Sequence, residues 1–438
     1  MFNLFNHSYE THDSQNRTYI DFIDPKIMNF IQYPGYDCRY PTIEPMYFGE
    51  SLYDELRNAS EKLFKIFVKT TEIFQKCPEK FMSDMDMPRK LIPYLNVKNA
   101  LGLPTWIARF DYVFDKDQNL KMVEINADTP CAIIESYYAN QVAADFFKAK
   151  NPNEGENRNL QAFMQDIVRK VFDARVDFST MDFKKDIFLF SCFHDYPEDF
   201  GTTLFLKNAV KSNYYCETKF ESFYDLSVDN GFVVCKDGSK PKLIYRLHPM
   251  ELLIEETATD GDNLGILFME GYKNGKFQMM NPPEAIIMQS KGFQALIYAL
   301  ANIDNSPFSQ NEIDTIRRYL PESFFENDFK SINGKYIVKP IWGREGNGIK
   351  VMEGTDVQFE KQIENPEDII QRESTSCLYQ KFVEQPMFSV ETDYAKDKAG
   401  YVTLSCFVLA GKASAVYARF SYEAIAGTEA FWMPLLVE

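Results

Sequence analysis

WIARFDYVFDKDQNLKMVEINADTP, residues 106–130, carries an unusual arrangement of charge. Two apolar-alternating runs flank the polar tip Asp115–Asn119, a pattern that predicts a β-hairpin. Side chains on a strand alternate faces, so Arg109 shares a face with Asp111, and Glu124 with Asn126. Folding about Asp117–Gln118 sets Asp111 opposite Glu124 and Arg109 opposite Asn126. Phe110, Tyr112, Val123 and Ile125 then occupy the other face. Two carboxylates facing each other across a ladder repel and destabilise it. Either this face meets something positive, or it is a solvated polar face.

The rest of the chain bounds the answer. Its 438 residues, 45% hydrophobic and 15% aromatic, suffice for two or three domains or one large multi-lobed enzyme. No apolar run approaches the ~18–20 residues of a membrane helix. The opening MFNLFNHSYETHDSQNR lacks the basic tip and apolar stretch of a signal peptide, so a cytoplasmic protein is expected. The cysteines stand singly at 38, 77, 131, 192, 216, 235, 377 and 406, with no C-x-x-C. They read as reduced thiols rather than zinc ligands. A net charge of −17 argues against nucleic acid. It suits a cationic ligand such as a polyamine, or serves solubility alone.

Along the chain, residues 50–76 show apolar residues at helical spacing. Cys131–Phe147 and Leu160–Val176 read as helices, with 150–159 a loop between them. DIFLFSCF from Asp186 is a buried strand and Pro197 opens a helix. NYYCETKF, GFVVC and KLIYRLH add strands, making a small α/β lobe over 185–283. Glu198 and Asp199 then lie at the mouth of its first strand, or simply complement a helix end. Helices around Lys291 and Asn311–Tyr319 follow. No repeat or flexible linker interrupts the sequence, so one interlocked unit over 1–438 is expected: helices and the hairpin over 1–180, the lobe, 284–395, then a return to the central sheet over 396–438.

GKYIVKPIWGREGNGIKVMEG, residues 334–354, is the second informative segment. Strand Tyr336–Pro340 leads into G-R-E-G-N-G and strand Ile349–Met352 leaves it. It is neither a Walker loop nor a dinucleotide fingerprint, which needs a helix after the glycines. Strand–loop–strand makes it a flap. The glycines alone fit an ordinary Asn347-Gly348 turn, but Lys339, Arg344 and Glu345 beside them point to phosphate. CLYQKFVEQP, 377–386, reads as a short edge strand. Arg419 lies in an otherwise apolar strand and needs an anion.

Together these residues resemble the synthetase domain of the glutathionylspermidine synthase family, ATP-grasp ligases. The match rests on R-x-D at Arg109–Asp111, E-x-N-A-D at Glu124–Asp128 and K-P-x-x-G-R-E-G at Lys339–Gly346, supported by S-K at Ser290–Lys291 and Y-Q at Tyr379–Gln380. It extends from about Tyr33 to Glu438. The metal-type hairpin precedes the lysines, which is similar to the circularly permuted order of this family and of eukaryotic glutathione synthetase. The resemblance implies a mixed α/β, or α+β, ATP-grasp-like fold with a small α/β substrate lobe and a glycine-rich β-hairpin lid. It also implies an ATP- and Mg2+-dependent enzyme joining a small-molecule acid to an amine, with no nucleic-acid or membrane partner.

Carried across residue by residue, Asp111, Glu124 and Asn126 would bind Mg2+, for which hard oxygen ligands on one face are suited. Arg109 and Phe110 would sit against the nucleotide. Lys291 and Lys339 would grip its phosphates, with Glu345 and Gly346 closing over them. Gln380, Lys381, Phe382 and Val383 would form the adenine hinge, and Ala424, Ile425 and Ala426 would line the pocket. Arg109, Arg344 and Arg419 would stabilise the transferring phosphoryl group. Thr129, Cys131, Glu198 and Asp199 match positions around the acid or amine. Cys131 stands where a hydroxyl is usual in the glutathione-using enzymes and the hairpin tip is a residue longer, so the substrates can differ. An amidase domain, carried by bifunctional relatives, is not expected, and the four histidines read as non-catalytic. The rival readings are an ATP-binding sensor or scaffold, and a carboxylate kinase.

Overall fold

The computed structural model describes residues 10–32, 37–172, 186–211, 215–258, 261–331, 334–362, 376–396 and 398–437. The end of the expected helix at 173–176, the start of the expected strand at 213–214 and the closing Glu438 lie outside these. Among the described residues, no helix is long and apolar enough to cross a membrane.

The hairpin lies within the central sheet. Strand Ile107–Phe114 pairs antiparallel with Leu120–Asn126 on one side and with Ala399–Leu409 on the other. Lys412–Ser421 and Phe431–Met433 continue the sheet, so the C-terminal strands return beside the hairpin. On one face Ala108, Phe110, Tyr112, Leu404, Cys406 and Phe420 form a buried cluster with the amphipathic helix Glu50–Phe74. Phe67 of that helix meets Phe110 edge-on at 5.7 Å. On the other face Ile107, Phe407, Ala415, Tyr417 and Trp432 pack against Ile133, Ile134 and Tyr137. Alternation sends Arg109 and Asp111 to this second face, where the apolar packing gives way to polar residues.

Local expectations for the hairpin and for the helix after the 150–159 loop need correction. The ladder shifts register between Asp111 and Tyr112, so Tyr112 faces Met122 and Val123 becomes the extra residue of a bulge. Met122, not Val123, enters the core. The helix after the loop begins at Glu156 rather than Leu160, with Glu156 ion-paired to Arg57 at 3.0 Å. Upstream, a π-helical turn Glu135–Ala139 runs into helix Asn140–Phe147.

Asp186–Cys192 belongs to a four-stranded parallel sheet, ordered Cys216–Phe220, Asp186–Cys192, Leu243–Leu247, Gln278–Met280. Phe188, Leu189 and Phe190 are wholly buried, as strands covered on both faces require. Helix Pro197–Ala209 follows, with its proline at the first turn.

A third, antiparallel sheet runs Ser323–Phe324, Cys377–Lys381, Lys335–Pro340, Lys350–Glu353, Asp356–Glu360. The glycine-rich segment 343–348 joins Lys335–Pro340 to Lys350–Glu353. Cys377–Lys381 is not the expected edge strand: Ser323–Phe324 covers its outer side. That cover comes from a two-residue strand without its own alternating pattern, so it was invisible locally.

Candidate active site

The hairpin register is the predicted one, with Asp111 opposite Glu124 and Arg109 opposite Asn126. Each carboxylate has its own cations. Arg109 grips both oxygens of Asp111 at 2.8 and 2.9 Å, Arg419 Nη2 adds a third contact at 3.1 Å, and Asn126 donates to it at 3.2 Å. Glu124 pairs with Lys291 at 2.9 Å. Burial pushes the Glu124 carboxyl up, but Lys291, with Lys339 and Arg419, outweighs it and holds the group at about 2. The cross-strand repulsion is therefore relieved by the protein's own side chains.

Among the described residues, no three His, Cys, Asp or Glu side chains gather as a metal cluster. The donor set at the hairpin is two carboxylates and one amide. That chemistry fits Mg2+, which commonly takes one or two carboxylates and completes its shell with water and phosphate oxygens.

The bulge has a consequence for charge. The Val123 carbonyl accepts from Lys339 Nζ at 3.2 Å and from Gln294 Nε2 at 3.4 Å. Lys339 is 5% exposed, and burial pushes its ammonium down to about 8, with Glu124 opposing and Lys291 reinforcing the shift. Lys291, at the start of helix Lys291–Ala301, also donates to the Gly343 carbonyl at 2.5 Å. Two buried ammonium groups thus share one carboxylate. Such an excess of buried positive charge calls for an anion.

Beside this charge lies an apolar cluster. Ile337 is two residues from Lys339 and shares its face. Ile337, Ile349 and Val351 cluster with Phe382 and Ile425. Gln385 donates to the Ala424 carbonyl at 3.2 Å, holding the 380–385 and 424–426 segments together. Gln380 itself is inside the protein, bonded to Ser323 at 2.9 Å and Gln294 at 3.2 Å, while the side chain of Lys381 points outward to Glu322. Val383 is buried at the end of that segment. Glu345 and Gly346 both have positive φ, 51° and 72°. A Cβ on Gly346 would lie 2.9 Å from the Ala426 carbonyl, so only glycine allows this approach.

The expected substrate residues lie on the other side of Arg109. Its Nη1 donates to the Cys131 carbonyl at 2.9 Å. Burial, then Glu198 and Asp199, push the Cys131 thiol well up, which disfavours the thiolate. Thr129 is half-buried in the turn before it. Glu198 and Asp199 do occupy a helix first turn, and they also lie near enough to Cys131 to act on its thiol. Glu198 is exposed, yet the crowding of protein around it raises its carboxyl. Burial and Glu198 push Asp199 up to about 7. Arg344 is held by Glu251 at 3.0 and 2.5 Å.

Several participants escaped sequence reasoning. Glu135 is fully buried and pushed up to about 8 by burial and by Glu198, with Tyr40 donating to it at 3.1 Å. The π turn that carries it breaks ordinary helical spacing. Glu251 sits in a four-residue helix with no distinctive pattern. Asp128 was visible in E-x-N-A-D, but not its buried partner Arg246, which ties the hairpin to the parallel sheet.

The sequence profile of the glutathionylspermidine synthase preATP-grasp family matches residues 29–438. The chain belongs to that family. A solved structure of a glutathione synthetase-like effector from Globodera pallida, in its apo form, is similar over nearly its full length. The likeness covers 96% of this chain and 95% of that one, with TM-score 0.58 and 10% identity. At that identity it speaks to fold alone: the mixed α/β architecture is shared. For a glutathionylspermidine synthase family member, the R-x-D, E-x-N and K-P-x-x-G-R-E-G residues converge on one region.

Proposed function

We propose that the chain is an ATP- and Mg2+-dependent carboxylate–amine ligase of the ATP-grasp kind, in circularly permuted order, with the glycine-rich hairpin as its lid. The observation that carries this reading is the buried pair Lys291 and Lys339, gathered about Glu124, with Lys339 on the sheet that also carries the apolar cluster of Ile337, Ile349 and Val351. A nucleotide matches both halves: its base suits the apolar side chains of Ile337, Phe382 and Ile425, and its phosphates suit the ammonium groups. Asp111, Glu124 and Asn126 would hold Mg2+, which when bound would neutralise charge on the phosphate oxygens.

The chain's own residues account for the rest. Arg109 and Arg419 meet on Asp111 and Arg344 is held by Glu251, and all three would be suited to stabilising charge on the transferring group. A carboxylate oxygen of the acid attacks the γ-phosphorus and ADP leaves, giving an acylphosphate. The amine nitrogen then attacks the acyl carbon and phosphate departs. The incoming ammonium must first lose a proton, and Asp199, held near 7, has a basicity suited to accepting it. Closure of the glycine-rich hairpin excludes the water that would hydrolyse the acylphosphate. The family's name supports a peptide carboxylate and a polyamine as the substrate pair.

The test is ADP release from Mg2+-ATP across peptides crossed with polyamines and amino acids, with product masses read alongside. ADP formed only with both partners, and a product lighter than their sum by one water, supports the ligase. ADP formed with the acid alone, trapped as a hydroxamate by hydroxylamine, would make it a carboxylate kinase. Tight ATP binding without turnover would make it a sensor.

A further inference from the structure

Lys361 follows strand Asp356–Glu360 and is bound through its backbone to the exit of the glycine-rich segment. Its N–H donates to the Ile349 carbonyl at 2.9 Å, and its own carbonyl accepts from Gly348 at 3.2 Å. Its side chain leaves the third sheet altogether. Nζ lies 2.8 Å from Glu423 Oε2 and 2.8 Å from Glu429 Oε2, both on the segment that follows the central-sheet strand of Arg419. The lysine side chain is only 9% exposed. Glu429 in turn accepts from Gly427 N at 3.1 Å and Ser421 Oγ at 3.2 Å, so one carboxylate gathers the 421–429 segment around the ammonium.

Gly427 has a steric reason to lack a side chain. A Cβ there would lie 2.6 Å from Lys361 Cε and 2.8 Å from its Nζ. Besides the apolar packing of Ile425, the third sheet therefore meets the central sheet's outgoing segment where Gly346 lies against Ala426 and where Lys361 lies between Glu423 and Glu429. The first is a contact of backbone shape. The second joins a buried ammonium to the partly exposed carboxylates of Glu423 and Glu429, and breaking it leaves that buried ammonium uncompensated.

We propose that Lys361 is the latch that fastens the glycine-rich hairpin to the 421–430 segment, a positioning residue that never touches the reacting atoms. The latch stands on these contacts alone; its consequence, that it keeps water from the acylphosphate, rests on the ligase reading. Opening for nucleotide exchange requires Lys361 to leave its two carboxylates, and closing restores them.

Hydrogen exchange on the full chain, with Mg2+-ATP, tests the latch without requiring turnover. In Lys361→Met, peptides from 336–353 and 421–431 exchange about tenfold faster, while the parallel sheet at 186–247 is unchanged. Lys361→Arg restores the wild-type rates. Unchanged exchange in Lys361→Met overturns the latch, and so does acceleration that Lys361→Arg fails to reverse. Should Lys361→Met unfold, seen as fast exchange at 186–247 as well, Gly427→Ala replaces it: its Cβ displaces the lysine stem and must give the same local acceleration. Where the wild type turns over, ADP released per amide formed rises in Lys361→Met; an unchanged ratio removes the water-excluding role. A wild type without ADP release overturns the ligase reading, and the exchange data still decide the latch.

Discussion

Arg109 grips Asp111 from two positions away on the same strand, donating to both carboxylate oxygens at 2.8 and 2.9 Å. Both side chains are buried, so the pair is stabilising only while it is intact. Asp111→Ala leaves Arg109 and Arg419 without their shared anion. A loss of about 3–5 kcal/mol in urea denaturation is expected, the cost of stranding buried charge. Asp111→Asn, which keeps one acceptor oxygen, loses less.

Lys339 is expected to behave in the opposite sense. Its ammonium is buried, bonded to one carbonyl and pushed down to about 8, so folding gains little from its charge. Lys339→Met leaves the urea midpoint unchanged or raises it. The same variant weakens Mg2+-ATP binding by roughly tenfold or more, as loss of a charge-assisted contact implies. Calorimetric titration and denaturation on one preparation separate the two effects.

Glu135 makes stability depend on pH. Its carboxyl is held up to about 8 when folded, well above its ordinary value. Between those values the unfolded chain releases a proton that the folded chain keeps. The stabilisation is therefore complete at acid pH and is lost as pH rises toward 8, by at most about 1.4 kcal/mol per pH unit. Glu135→Gln cannot ionise and escapes this loss. The gap between wild type and variant, from urea midpoints at pH 5, 6.5 and 8, must shift in the variant's favour as pH rises.

Gly346 and Gly354 form a matched pair. Both have positive φ, 72° and 59°, but a Cβ on Gly346 meets the Ala426 carbonyl at 2.9 Å while one on Gly354 meets nothing within 4 Å. Either alanine substitution costs roughly 1 kcal/mol of backbone strain. Gly346→Ala alone also loses nucleotide affinity, because the hairpin can no longer approach 424–426. Equal affinity in the two variants would show that this approach does not matter for binding.

Period-two alternation by itself determined the hairpin, the shared face of Arg109, Asp111, Glu124 and Asn126 and the Asp111–Glu124 pairing, because these depend on neighbours a few positions away. The same holds for the amphipathic helix from Glu50, the buried strand from Asp186 and the strand–loop–strand around the glycines. The tertiary structure decided what each charge meets. Lys339 finds the Val123 carbonyl across 216 residues, through a bulge that simple alternation does not register. Glu135 meets Glu198, and Lys361 meets Glu423 and Glu429, only where separate segments are packed together. Burial and charge compensation are properties of the assembled interior, so the proton affinities at this site became readable only when the sheets were in place.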